Sequence, residues 1–160
     1  MNEQVLLTQT VHINLPASLK YLKVLGACLK TVLAQEQSSQ GRQVQERQVK
    51  ERQLMLNNVW LAVHEICVNI VEHAYTPASE QARIEVSIFL NRQDRCLTIH
   101  LVDTGQPFDM HDMERPPLME GQVHGYGLFL ARSLMDTVNY QRQGSKNCWS
   151  LEKCLCQESV

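Results

Sequence analysis

No Cys-x-x-Cys pair occurs in the sequence, although it carries six cysteines, at 28, 67, 96, 148, 154 and 156. Zinc sites need ligands paired at that kind of spacing, so the thiols read as free and mostly buried, with no metal cage among them. Charge of one sign is missing too: 15 Lys and Arg stand against 17 Asp and Glu, a net charge of −2 with His neutral. The positive residues are dispersed, which argues against a direct nucleic-acid partner. No apolar run approaches the ~18 residues of a membrane span. The start, Met1-Asn2-Glu3-Gln4, lacks the basic and apolar stretches of a signal peptide. A cytoplasmic protein without a membrane partner is the expectation. A Gly-x-Ser-x-Gly elbow is absent, which removes the usual serine hydrolase. His64-Glu65 begins like a zinc-protease motif, but Val68 stands where the second His is required.

What is present suffices for a core: 44% of the 160 residues are hydrophobic, which predicts a single domain over 1–160. Val5 to Leu15 alternates as a strand, and a helix is predicted from Pro16 or Ser18 to about Gln37. Ser38 to Gln53 is nearly devoid of apolar residues and carries a five-residue echo, Arg42-Gln43-Val44, Arg47-Gln48-Val49 and Arg52-Gln53-Leu54. That period suits neither helix nor strand, so 40–53 is expected to be a polar helical extension or a loop. From Leu54 to Tyr75 the apolar positions Leu56, Val59, Trp60, Val63, Ile66, Cys67 and Ile70 follow helical spacing until Pro77. Arg83–Leu90 and Cys96–Val102 alternate as a hairpin, Gly127–Asp136 returns to helix, and Val138–Tyr140 and Trp149–Leu155 close as strands. Between them, 106–124 holds prolines, glycine and methionines without a regular period, as expected of a functional lid.

Three clusters carry chemistry. Glu65 and Asn69 lie one helical turn apart, so a carboxylate and an amide project from one face of a helix otherwise built for burial. The carboxylate can orient a hydroxyl and take its proton, and the amide oxygen suits Mg²⁺. Asp103-Thr104-Gly105 ends a strand with an acceptor fit for an amine such as that of adenine, followed by a residue that allows close approach. Gly125-Tyr126-Gly127-Leu128 opens a helix, where free backbone N–H groups attract anions. Each pattern alone is common.

Their order and placement resemble the Bergerat ATP-binding fold of the GHKL superfamily. Glu65–Asn69 matches its N box, Asp103-x-Gly105 its first glycine box, and Gly125-x-Gly127-Leu128 its second. Within that group Glu65-x-x-x-Asn69-x-x-x-His73-Ala74-Tyr75, Asp103-Thr104-Gly105-Gln106-Pro107-Phe108-Asp109 and the short lid are similar to the anti-sigma factor serine kinases of bacterial partner-switching systems. The resemblance implies an α+β two-layer sandwich. A mixed, mostly antiparallel sheet would be covered on one face by about three helices, with an ATP lid over 106–124.

It also implies ATP and Mg²⁺ as cofactors, with Glu65 as the catalytic base and Asn69 as the Mg²⁺ ligand. Asn69, Asp103, Gly105, His124, Gly125, Gly127 and Leu128 would bind nucleotide, and Arg115 and His124 would add positive charge in the lid. The partners implied are an antagonist protein bearing a phosphorylatable serine, a sigma factor held in competition with it, and a second copy in a homodimer. One departure stands out. The family's last box is usually a Gly-Thr pair, and here the stretch is Lys146-Asn147-Cys148-Trp149. That change keeps open an alternative, a nucleotide-responsive binding module that captures its partner without phosphorylating it.

Overall fold

The computed structural model describes residues 8–34, 46–75, 80–109 and 126–155. Five strands, β1 (Thr8–Pro16), β2 (Arg83–Asn91), β3 (Cys96–Asp103), β4 (Thr137–Gln143) and β5 (Lys146–Cys154), form one sheet in the order β1-β2-β3-β5-β4. Every pairing among the described residues is antiparallel, in keeping with the expected mostly antiparallel sheet. A 3₁₀ turn at Leu19–Tyr21 leads into α1 (Leu22–Ala34). α2 (Glu46–Asn69) and α3 (Tyr126–Leu134) complete the helical layer.

Strict alternation builds the core. On β2 Ile84, Val86, Ile88 and Leu90 point inward, and on β3 Leu97, Ile99 and Leu101 do the same. They cluster with Leu25 and Leu29 of α1, Val59, Val63 and Ile66 of α2, and Leu128 and Ala131 of α3. Burying a Leu, Ile or Val side chain contributes about 1.5–3 kcal/mol, so this layer is the main source of stability.

α2 begins at Glu46, which makes the second half of the polar segment a solvated helical extension; residues 40–45 lie outside the described residues. Arg47 Nε donates to Glu51 Oε1 at 2.7 Å, one turn along it. By length and composition Glu46–Ala74 is apolar enough to cross a membrane. Here its apolar stripe, Leu56 through Cys67, is buried within the core.

The thiols are less buried than expected. Cys67 is fully enclosed and burial pushes its thiol up to about 12, but Cys28, Cys96 and Cys148 are half-buried and Cys154 is exposed. Cys156 and most of the lid, 110–125, lie outside the described residues, with Arg115, His124 and Gly125 among them.

Candidate nucleotide site

The alternation that builds the core also builds the site. After Leu97, Ile99 and Leu101, the next inward position on β3 is Asp103, and on β5 Asn147 precedes Trp149 and Leu151 in the same way. The register sets Asp103 opposite Asn147, and both are 2% exposed. Asn147 Nδ2 donates to Asp103 Oδ1 at 2.8 Å, and the Gly105 N–H donates to the same oxygen at 2.8 Å. Asp103 Oδ2 is buried without a hydrogen-bond partner among the described residues. Burial raises the Asp103 pKa from its ordinary value, while Asn147, the Gly105 N–H and the Arg142 guanidinium oppose that rise. A buried acceptor left open in this way is costly unless something donates to it.

Asn147 uses its whole side chain. Its Nδ2 also donates to Gln106 O at 2.9 Å, and its Oδ1 accepts from Tyr140 Oη and from Arg142 Nη1, each at 2.7 Å. Arg142 Nη1 donates to Gly105 O at 2.9 Å, and the Phe108 N–H donates to Tyr140 Oη at 2.9 Å. Phe108, Tyr140 and Trp149 pack edge to face or tilted, with centroids 4.8–5.6 Å apart, as an apolar wall beside this network.

The other side of the loop is tied to the end of α2, which passes into a π turn at Ile70–Ala74. Single π turns are frequent where a helix serves a site. The Gln106 N–H donates to Ala74 O at 2.7 Å, and the Thr104 N–H donates to Tyr75 Oη at 3.0 Å. Gly105 is required here for a reason other than nucleotide approach, because a Cβ would run into the Ala74 carbonyl oxygen and would lie 2.6 Å from Ala74 Cβ. Gly105→Ala is therefore expected to cost about 1–3 kcal/mol, read as a lower urea midpoint, because neither backbone can yield.

Glu65, on α2, faces the start of α3. A Cβ at Gly127 would sit 2.5 Å from Glu65 Oε2, so the glycine leaves room for the carboxylate at a helix N-terminus. Glu65 Oε1 lies 3.6 Å from His64 Nδ1, and the Glu65 side chain remains 26% exposed. Asn69 ends α2 one turn further on and is half-buried. Leu128 is a core residue, 5% exposed.

The structure thus joins Glu65 with Gly127, and Asp103 with Gly105, while His124 and Gly125 lie outside the described residues. The sequence drew attention to Asn147 only as part of the changed last box and to Tyr75 only as the end of the motif that begins at Glu65, and it gave no sign of Arg142 and Tyr140. Asn147 had left a trace: a polar residue in phase with Trp149 and Leu151 belongs on the buried face.

Comparison with known proteins places the chain in a family. The family described as "Histidine kinase-like ATPase domain" matches residues 15–153. The chain is similar to the serine/threonine-protein kinase BtrW of Bordetella bronchiseptica, 32% identical over 103 residues, covering 62% of this chain and 70% of that protein. It is also similar to the serine-protein kinase RsbW of Bacillus licheniformis, 32% identical over 117 residues, covering 66% of this chain and 68% of that protein. Against RsbW of Bacillus cereus strain 03BB102 it is 30% identical over 91 residues, covering 52% of this chain and about half, 54%, of that protein. In fold it is similar to the crystal structure of the RsbU and RsbW domains of Rv1364c from Mycobacterium tuberculosis. There the TM-score is 0.59 at 19% identity, covering 91% of this chain and 32% of that one. The chain belongs to the histidine kinase-like ATPase family, on the branch whose curated relatives are serine-protein kinases.

Proposed function

We propose that this chain is an ATP- and Mg²⁺-dependent protein-serine kinase that phosphorylates an antagonist protein and, in competition with it, holds a sigma factor. The observation that carries the nucleotide part is Asp103: its Oδ1 is fixed by two donors and its buried Oδ2 has no partner among the described residues. An exocyclic amine such as adenine N6 is the donor that fits, and the aromatic wall of Phe108, Tyr140 and Trp149 stands beside the acceptor. The phosphate part is supported by the N-terminus of α3, whose first N–H groups have no intrahelical acceptor. The partner assignments rest on the similarity to RsbW and BtrW.

When bound, MgATP supplies the transferable phosphoryl group, with divalent charge offsetting its oxygens. Asn69 would hold the metal through its amide oxygen, and the Gly127 region would hold phosphate oxygens by backbone N–H groups. Glu65, exposed enough to be reached, orients the serine hydroxyl and accepts its proton. Phosphoryl transfer asks mainly for positioning and charge neutralisation, so this small set of groups suffices.

The changed last box does not weaken the reading. Asn147 donates to Asp103, as a hydroxyl at that place would, and ties down the loop as well. Asp103→Asn should lower ATP affinity at least ~10-fold and narrow the preference for ATP over GTP, because a charge-assisted acceptor is replaced by an amide. Calorimetric titration with both nucleotides tests it, and an equal loss for the two would remove the adenine assignment.

A further inference from the structure

The cysteines show no pairing in sequence, but strand register makes one. Cys96 opens β3 and Cys154 closes β5, and they are direct cross-strand partners. Inward positions on these strands are taken by Leu97, Ile99, Leu101, Trp149 and Leu151, so both thiols lie on the sheet face away from the helices. The neighbouring ladder position carries the hydrogen bond, since the Leu155 N–H donates to Arg95 O at 2.7 Å. The Cys154 N–H is turned away from β3 and donates to Asp136 Oδ2 at 2.6 Å. Cys96 and Cys154 therefore form a non-hydrogen-bonded antiparallel pair, the type in which Cα atoms approach to roughly 4.5 Å and side chains are nearest. That spacing falls within the range a disulfide spans, about 4.4–6.8 Å.

We propose that Cys96 and Cys154 are a modification site: a cross-strand dithiol that a hydroperoxide oxidises to a reversible disulfide. Cys154, exposed at the sheet margin, is the attacking thiol, while burial raises the Cys96 pKa, against a hydrogen bond with Thr98 and with the carboxylates of Glu152 and Asp136 adding to the rise. The Cys154 thiolate attacks one peroxide oxygen, the O–O bond breaks, and the leaving oxygen departs with a proton as water or an alcohol. Cys96 then attacks the sulfenic sulfur, the S–O bond breaks, the S–S bond forms and a water leaves. Both thiol protons end in the products, and the two electrons lost by the sulfurs reduce the peroxide.

Among the other described cysteines, Cys67 is too buried to compete, and Cys148 faces Val102 and Gln141 across its two ladders. The resulting bond would close a loop of roughly 60 residues that contains both Asp103 and Asn147.

The test is hydrogen peroxide treatment of the full chain, followed by non-reducing digestion and mass spectrometry. A linked pair of peptides carrying Cys96 and Cys154 is expected, about 2 Da lighter than the two thiol peptides together. Thermal unfolding should move up by roughly 5–10 °C and return on adding a dithiol reductant. Because Cys156 travels in the same tryptic peptide as Cys154, the same treatment is applied to Cys156→Ser, which should still link, and to Cys154→Ser, which should not. A link that survives Cys154→Ser, or wild-type protein that yields only sulfinic acid or intermolecular dimers, overturns the proposal. Neither result bears on nucleotide binding.

Discussion

Glu65→Ala is expected to slow phosphoryl transfer to a serine-bearing partner protein by ~10²–10⁴-fold while ATP affinity stays within about threefold of wild type. In the proposed mechanism the carboxylate, partly exposed and facing the start of α3, serves the incoming hydroxyl rather than the base of the nucleotide. Radiolabel transfer in single turnover gives the rate, and calorimetry gives the affinity. Asn69→Ala, which removes the amide oxygen proposed to hold the metal, should lower both, and the contrast separates a base from a ligand. If Glu65→Ala transfers phosphate as fast as wild type, the base lies elsewhere. A wild-type protein that captures its partner under nucleotide control but transfers nothing would be the binding module instead.

Asn147→Ala is expected to have the largest structural effect, about 3 kcal/mol of stability, with ATP affinity reduced as well. The substitution strips a donor from Asp103 Oδ1 and from Gln106 O, and an acceptor from Tyr140 Oη and Arg142 Nη1, all in one buried place. Asn147→Thr should recover part of both, since a hydroxyl can reach Asp103 but not the whole loop. The pH profile isolates the effect on Asp103. Burial raises its pKa, so ATP binding is intact above the folded value and fades as pH falls through it. Removing Asn147 removes a bond that favours the charged form, so the fade should begin at higher pH in Asn147→Ala than in wild type. For folding the sign is reversed. A raised carboxylate pKa favours the folded state at low pH, and that contribution is lost as pH rises through the folded value. Denaturant midpoints and ATP titrations over the same pH series check both directions.

Local pattern made the three boxes and most elements legible. Alternation located β2 and β3, and the stripe from Leu56 to Ile70 located α2, because burial imposes those periods on the residues themselves. The five-residue echo gave no period, so only the structure shows that α2 starts inside it at Glu46. Gly105 was singled out in the sequence for the close approach of a nucleotide, whereas the contact the structure shows is with Ala74, 31 residues earlier, brought there by a π turn that leaves no signature in sequence. The Asp103–Asn147 partnership was out of reach for the same kind of reason. It depends on β5 lying beside β3 in a fixed register, and register between strands more than forty residues apart is set by the whole sheet.

The strand order has a consequence for how the molecule comes into being. β5, the last of the described strands, is not an edge strand but lies between β3 and β4. A chain made from its N-terminus can pair β1, β2 and β3 early, yet β3 keeps one side unsatisfied until the last strand has been synthesised and inserted. Asp103 waits on that open side for Asn147. Long-range pairings of this kind slow folding, since the entropy of closing the chain is spent before the contacts reward it. A newly made chain would therefore bring Asp103 and Asn147 together, and close the core over Trp149 and Leu151, only once β5 has taken its place beside β3.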